Sequence, residues 1–328
     1  MAGWDKRPKE FRRLWDYSVG FYGVWVAHVG RRVGLLQHLA RSPTSAAGLA
    51  EKAGLDKRTV EAWCSAAVAL GLVSKTGGKL RMSALMKEIL LDVKSPNYLG
   101  GQFSYLAMRS LEYRGLEDLF RAGKTGEMSN TFEAIEQATD WDHGALLSAI
   151  KRGRNHRLHA MLSKGCRALD VGCGTGTLIE KLWRSYPRLA FVGVEPSEVA
   201  AHKAMEMAAG KPVEILRQRG EEMAFDEEFD VAFLGESLYA ASDKQAVMSN
   251  CWRALKKGGA IAIIEGLLPG KVDAEGRLIM GMQLDFALQG YRFMTRKEIT
   301  ELLRKAGFSK IAFDDFGGSL FLISAWKT

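Results

Sequence analysis

The sequence predicts an α/β protein whose mostly parallel sheet closes on an antiparallel C-terminal hairpin, preceded by a mainly α-helical N-terminal part. Three observations carry this prediction. From residue 167 onward, short apolar runs alternate with amphipathic helical patterns, as parallel strands joined by crossover helices require. The last two apolar runs, SKIAFDDF and SLFLISAWK, are joined by Gly317-Gly318, a hairpin signal. The first 95 residues read as helices with a single short strand pair.

Strands are predicted at 167–171, 190–195, 213–217, 229–234 and 259–265, with helices at 176–186, 197–209, 243–256 and 295–306. Residues 44–70 read as two short helices joined by a turn at Gly54, the second begun by Asp56 or Thr59. GLVSKTGGKLRMS then supplies a hairpin with Gly77-Gly78 at its tip, so this part is a winged helix. Further helices are predicted from Tyr98 to Tyr113, after Pro96, and over about 142–162. The predicted domains are 1–95 (winged helix), 96–160 (helical connector and lid) and 161–328 (ligand-binding α/β domain).

The most informative segment is ALDVGCGTGTLIEKL, residues 168–182, where a strand passes through Gly172, Gly174 and Gly176 into a helix. Glycines at alternate positions let a ligand lie against bare backbone, and the helix N-terminus offers unpaired N–H groups. This geometry points to an adenosine-type cofactor. The dinucleotide fingerprint G-x-G-x-x-G leaves room for a pyrophosphate. Here the third glycine comes one residue early, and Asp170 precedes the first glycine by two residues.

That pattern, followed by a second strand ending in an acid (FVGVEP, Glu195 and Pro196), resembles the class I S-adenosylmethionine (SAM)-dependent methyltransferases, with their Rossmann-like sheet. The resemblance implies that Asp170, Gly172, Cys173, Gly174 and Gly176 form the loop at the methionine portion of SAM. It also implies that Glu195 accepts from the ribose hydroxyls, that Gly220 and Glu221 edge the adenine, and that Leu234 and Gly235 lie beside the cofactor. For Glu221 and Glu222 a solvated loop is the competing reading. Cys173 reads as a small residue rather than a nucleophile.

A winged helix followed by such a domain resembles the small-molecule O-methyltransferases of the hydroxyindole and caffeate type, over about residues 15–326. Asp285, Thr295, Glu298 and Ala306-Gly307-Phe308 match that family's C-terminal segment. The resemblance implies a homodimer formed through the N-terminal domain, which roofs the acceptor pocket without touching DNA.

One departure stands out. The family carries Leu-His-Asp-Trp after the fourth strand, and its histidine takes the acceptor's proton; this chain reads Ser237-Leu238-Tyr239-Ala240, placing Tyr239 at the base position. A neutral tyrosine with a pKa near 10 is a poor general base at pH 7. Weight therefore moves to sulfur, nitrogen or carbon acceptors, or to an oxygen acceptor activated by another base. Tyr239 then orients the acceptor or packs beneath it.

Other acceptor-side candidates are Gln102, Tyr105, Met108 and Arg109, on one helical face, and Met282, Asp285, Gln289, Tyr291 and Arg292 further on. Arg292 is suited to pair an acidic acceptor. Arg154 falls on the apolar stripe of the 142–162 helix with Leu147, Ile150, Leu158 and Met161, where it reaches the cofactor's or the acceptor's carboxylate or snorkels outward. Lys151, His156, Arg157 and His159 surround it as a basic collar.

The net charge of +8 lies wholly in the N-terminal half: residues 1–160 hold 24 Lys and Arg against 16 Asp and Glu, and the remainder 22 against 22. That asymmetry suits an anionic small-molecule substrate, a nucleic acid or nothing more than solubility. The second helix of the winged motif is too apolar (Val60, Trp63, Cys64, Ala67) to probe a groove, which argues against DNA. A nucleic-acid methyltransferase and a SAM-sensing winged-helix regulator are the competing functions.

The four cysteines show no C-x-x-C spacing, and the six histidines, His28, His38, His143 and His202 among them, form no metal pair. There is no signal peptide and no run of eighteen apolar residues, so the expectation is a cytoplasmic protein without a membrane partner.

Overall fold

The computed structural model describes residues 4–95, 97–123, 131–151, 155–273, 276–316 and 319–328. The chain divides into two compact units: residues 1–114 with 126–141, and 115–125 with 142–328.

The first unit begins with α1 (Lys9–Arg32) and α2 (Leu35–Arg41), followed by α3 (Ala46–Ala53) and α4 (Lys57–Ala69). The Ser45 hydroxyl caps α3 by accepting from Gly48 N at 3.1 Å, and the Asp56 carboxylate caps α4 by accepting from Thr59 N at 2.8 Å. Gly54 closes α3 in the left-handed region, φ +65°. The wing is β1 (Ser74–Thr76) with β2 (Lys79–Arg81), turned by Gly77-Gly78, and α5 (Ala84–Leu91) and α6 (Gly100–Ser110) follow.

Val60, Trp63, Cys64 and Ala67 of α4 are buried with Leu35, Leu36, Leu39 and Leu49, each large side chain contributing about 1.5–3 kcal/mol. This bears out the reading of α4 as a packing helix. The Trp63 ring lies where a Cβ on Gly30 would stand, and its indole N–H donates to Val26 O at 2.8 Å, locking α4 onto α1.

The unit reaches beyond residue 95 because α6 packs on α1 and because Cβ atoms at Gly100 and Gly101 would run into the carbonyls of Leu90 and Gln137. Gln137 lies on α8 (Thr131–Lys151), which follows α7 (Leu116–Ala122). The single helix predicted over about 142–162 is instead α8 and a separate α9 (His156–Lys164). Arg154 lies outside the described residues.

The second unit is built on a sheet with strands β3 (Arg167–Val171), β4 (Ala190–Val194), β5 (Val213–Leu216), β6 (Phe229–Gly235), β7 (Leu255–Leu268), β8 (Met294–Thr295), β9 (Ser309–Asp315) and β10 (Leu320–Trp326). The order is β5-β4-β3-β6-β7-β10-β9, with short β8 added to β7. All pairings are parallel except those of β10, which runs antiparallel to both β7 and β9. The Gly317-Gly318 tip of that hairpin lies outside the described residues.

Helices α10 (Thr177–Ser185), α11 (Glu198–Ala208), α12 (Lys244–Ala254), α13 (Gly276–Leu288) and α14 (Arg296–Ala306) connect the strands. Strand order reverses between β3 and β6, so their C-terminal ends, Val171 and Gly235, flank the crevice where open α/β sheets take ligands.

Candidate active site

The three loop glycines all have φ in the left-handed region, +73° at Gly172, +55° at Gly174 and +83° at Gly176, where an L side chain is strained. Their surroundings differ. A Cβ on Gly172 would stand 2.6 Å from Ser237 Cβ, and one on Gly176 would meet the Met207 methyl, whereas a Cβ on Gly174 finds nothing within 4 Å. Gly172 and Gly176 are packing glycines; Gly174 presents bare backbone to open space.

The loop is tied to the tip of β4. Gly172 N and Cys173 N both donate to Val194 O, at 2.8 and 3.0 Å. The Glu195 carboxylate accepts from Gly174 N at 3.0 Å and from Ser197 N at 2.8 Å. Each oxygen keeps an acceptor position, and the residue is 8% exposed.

Asp170, at 1% exposure, has neither carboxylate oxygen hydrogen-bonded. Burial and the neighbouring Glu195 charge push its carboxyl up to about 8. An orphaned acid beside an open glycine turn could accept from a cationic donor.

Gly220 is packed against Val171 and Val247, and Asn250 Nδ2 donates to the carbonyls of Gly220 and Glu221 at 3.1 and 2.8 Å. Glu221 Oε1 accepts from Ser242 N and Ser242 Oγ, both at 2.8 Å, and from Asp243 N at 3.3 Å. Burial works to raise this carboxyl, but these hydrogen bonds hold it below its usual value. Glu221 is thus a staple between two loops rather than a solvated side chain. Glu222 accepts from Arg219 N at 3.2 Å.

At the tip of β6, Leu234 is buried, and a Cβ on Gly235 would approach His143 Nε2 to 3.4 Å. His143 is 4% exposed and stands 3.5 Å from Thr177 Oγ1. Burial, with the charge of Lys181, pushes its imidazole down to about 3, so it is neutral. Burial raises the adjacent Asp142 to about 7, with Lys181 opposing the shift.

Tyr239 is buried against Ile279, Phe286 and Phe293, with Met282 and Leu268 at the edge. Its ring centroid lies 4.7 Å from that of Phe286 and 5.4 Å from that of Tyr291, and Phe286 stacks on Phe293 at 3.8 Å. Burial first, then the charges of Glu236, Glu265, Tyr291 and Asp142, push the Tyr239 hydroxyl well above its usual range. It is no base at neutral pH.

Glu236 and Glu265 were not singled out in the sequence. Glu265 sits in the apolar run AIAIIEGLL of β7, 0% exposed, with neither oxygen hydrogen-bonded. Burial raises it to about 8, although the nearby Leu238 and Tyr239 amides pull the other way. Glu236 follows Gly235 with φ +54°; burial and the charges of Glu265 and Asp142 hold it well above the carboxylate range. A lone acid inside an apolar strand was the available signal.

Asp285 is buried and accepts from Gln289 Nε2 at 3.0 Å. Arg292 is exposed, and its guanidinium donates to Glu298 at 2.6 and 3.3 Å, a partner the sequence reading did not include. Gln102, Tyr105, Met108 and Arg109 lie on α6 in the first unit, Tyr105 and Arg109 buried. Among the described residues no group of three His, Cys, Asp or Glu side chains could hold a metal ion, and no helix is long and apolar enough to cross a membrane.

A family of methyltransferase domains matches residues 169–263, the stretch from β3 through most of β7 that contains the loop, Glu195 and the β6 tip. The chain is a class I SAM-dependent methyltransferase.

Curated relatives of this methyltransferase include the 3-hydroxy-5-methyl-1-naphthoate 3-O-methyltransferase of Streptomyces sahachiroi, 26% identical over 91% of this chain and 89% of the relative. The tetracenomycin polyketide synthesis 8-O-methyl transferase TcmO of Streptomyces glaucescens is 24% identical over 90% of each. Among solved structures, human N-acetylserotonin methyltransferase in complex with SAM superposes with a TM-score of 0.72 at 22% identity, covering 100% of this chain and 99% of that one, which establishes the shared fold. SAM is the cofactor of this enzyme.

Proposed function

We propose that this methyltransferase transfers a methyl group to a hydroxyl of a small aromatic molecule. The observation that carries the reading is the juxtaposition, behind the β6 tip, of an aromatic wall (Tyr239, Phe286, Phe293) with carboxylates of raised pKa (Glu236, Glu265). Aromatic side chains favour a flat ring by offset or edge-on packing. A carboxylate with a pKa near the working pH can take a hydroxyl proton. The two relatives aligned over about nine-tenths of the chain, named as O-methyltransferases, support oxygen over sulfur, nitrogen or carbon.

The residues present fit SAM. Asp170 would take its ammonium group, the Gly172–Gly174 turn would lie along its methionine portion with Gly174 in contact, and Glu195 would accept from its ribose hydroxyls. Gly220 and Glu221 would border the adenine, and Leu234 and Gly235 would lie alongside. When bound, SAM supplies a methyl group on a sulfonium whose departure leaves a neutral thioether. The protein's part is to align and desolvate the acceptor and to receive its proton.

The first unit fits a dimerisation role. Trp15, Tyr17, Phe21 and Tyr22 of α1 are exposed at 52–66%; light scattering tests for a second copy. The basic balance of residues 1–160 accords with an anionic acceptor. The buried apolar face of α4 supports neither the nucleic-acid nor the regulator reading. The direct test is S-adenosylhomocysteine formation with a panel of naphthols, hydroxynaphthoates, indoles and thiols, in which a hydroxyl acceptor gives the fastest turnover.

A further inference from the structure

We propose that Glu236 and Glu265 form a two-carboxylate proton acceptor that replaces the missing imidazole, Glu236 meeting the acceptor hydroxyl and Glu265 acting from behind as a positioning residue. This deepens the oxygen-acceptor reading and rests on it.

The placement follows from the sheet. Gly235 of β6 registers with Ile264 of β7, and Glu236 N donates to Ile264 O at 2.9 Å, so the two acids sit side by side at adjoining strand positions. Across β7, Glu265 registers with Phe321 of β10, deep in the sheet. Glu265 has no exposed surface and no hydrogen bond to either oxygen, whereas Glu236 is only partly buried and is the member that an acceptor could reach. A non-glycine residue held at φ +54° at a strand tip costs on the order of 1 kcal/mol, strain of a kind that clusters at functional sites.

Two carboxyls crowded in a poorly hydrated site do not both ionise; they hold one proton between them, and the singly charged pair accepts a second. Other groups facing the pair or its neighbours come from every surrounding element: Asp142 of α8, Tyr239 after β6, Lys244 of α12, and Tyr291 and Arg292 after α13. Lys181 of α10 bears on Asp142 and His143, and Glu221 on Lys244. Of the alternatives, His143 is pushed down to about 3 and Tyr239 well up, so neither serves as a base at neutral pH.

In the step, the acceptor oxygen bonds to the methyl carbon as the carbon–sulfur bond breaks and leaves its electron pair on sulfur. The hydroxyl proton passes to the pair. The sulfonium's positive charge and the pair's negative charge are lost together, and the proton later leaves to solvent.

The test compares wild type, Glu236→Gln and Glu265→Gln on a weakly acidic naphthol and on a nitrophenol that is already ionised at the assay pH. General-base removal costs about 10²–10⁴ in rate, so Glu236→Gln loses more than about 100-fold in kcat on the naphthol and less than about 10-fold on the nitrophenol. In wild type kcat rises with pH as the pair loses its first proton; in Glu265→Gln the rise moves to higher pH, since the partner carboxyl that shares the remaining proton and stabilises the singly charged form is gone. Without cofactor or acceptor, the infrared band of a protonated buried carboxyl at pH 7 weakens in each variant. Calorimetric binding of S-adenosylhomocysteine reports folding.

Equal losses on both acceptors in Glu236→Gln, or an unshifted pH profile in Glu265→Gln, overturn the proposal. If Glu236→Gln does not fold, the Glu265→Gln profile and its infrared band decide. A wild type that methylates thiols or carbon but no hydroxyl overturns the oxygen reading itself, and the pair as its base, before any variant is made.

Discussion

Asp170→Asn separates what the fold tolerates from what the cofactor requires. The native carboxyl titrates at about 8 against about 4 for a free aspartate, because it is buried, unpartnered and beside Glu195. Four pKa units at 1.36 kcal/mol each make its ionisation in the folded apo-protein unfavourable by about 5 kcal/mol. The unfolded chain releases this proton near pH 4 and the folded chain only near 8, so the folded state binds more protons across that window. Stability therefore falls as pH rises from about 4 to about 8, and is flat above.

Asparagine carries no proton to lose. In thermal scans of the apo-protein, Asp170→Asn should match wild type near pH 4 and melt higher at pH 8, by roughly 10–20 °C given 2–4 °C per kcal/mol for a domain of this size. Losing a charge-assisted hydrogen bond worth about 1.5–3 kcal/mol should weaken SAM binding about 10–100-fold by calorimetry. An unchanged pH slope of the melting temperature, or SAM affinity equal to wild type, would refute the assignment of Asp170 as an orphaned acid awaiting a cation.

Four other substitutions probe the site and scaffold. Gly174→Ala at φ +55° projects a methyl into open space and should weaken SAM at least about tenfold while costing stability only about 1 kcal/mol of backbone strain; equilibrium dialysis and urea titration read the two effects. Tyr239→Phe keeps the ring stack and removes a hydroxyl with no basic role, so kcat should stay within about tenfold of wild type, a loss near that of general-base removal being the contrary result. Glu298→Ala breaks the Thr295 capping box and the Arg292 pair and should destabilise by about 1 kcal/mol with turnover unchanged. The contribution of Glu298, whose carboxyl Arg292 holds down to about 2, is present above pH 4.5 and lost as pH falls toward 2. Trp63→Ala should cost about 3–5 kcal/mol in chemical denaturation, because the ring fills the space against Gly30 and Leu36.

Where the sequence was legible, the physics was local. Apolar runs such as FVGV and AIAII, bounded by turn residues, read as interior strands. T-x-x-E at Thr295 announces a helix start, and Gly54 a helix end. The loop glycines and Glu195 were readable because their spacing is itself the motif.

What escaped depends on contacts between distant segments. Arg292 looks available until Glu298, six residues on, closes around it. Glu265 was hidden by the apolar neighbours that bury it, and its closeness to Glu236 exists only because β7 pairs beside β6. His143 and Asp142 lie more than thirty residues from Thr177 and Lys181, which define their surroundings. The predicted 142–162 helix is two helices, because its periodicity continues past Asn155, whose non-helical backbone precedes α9.

The most direct measurement is to react the enzyme with SAM carrying a deuterated methyl group and a hydroxynaphthoate, and to locate the label by nuclear magnetic resonance. Attachment to the hydroxyl oxygen, with one equivalent of S-adenosylhomocysteine formed, is the outcome required here. Label on ring carbon, or none on the naphthoate while a thiol is labelled, would contradict it.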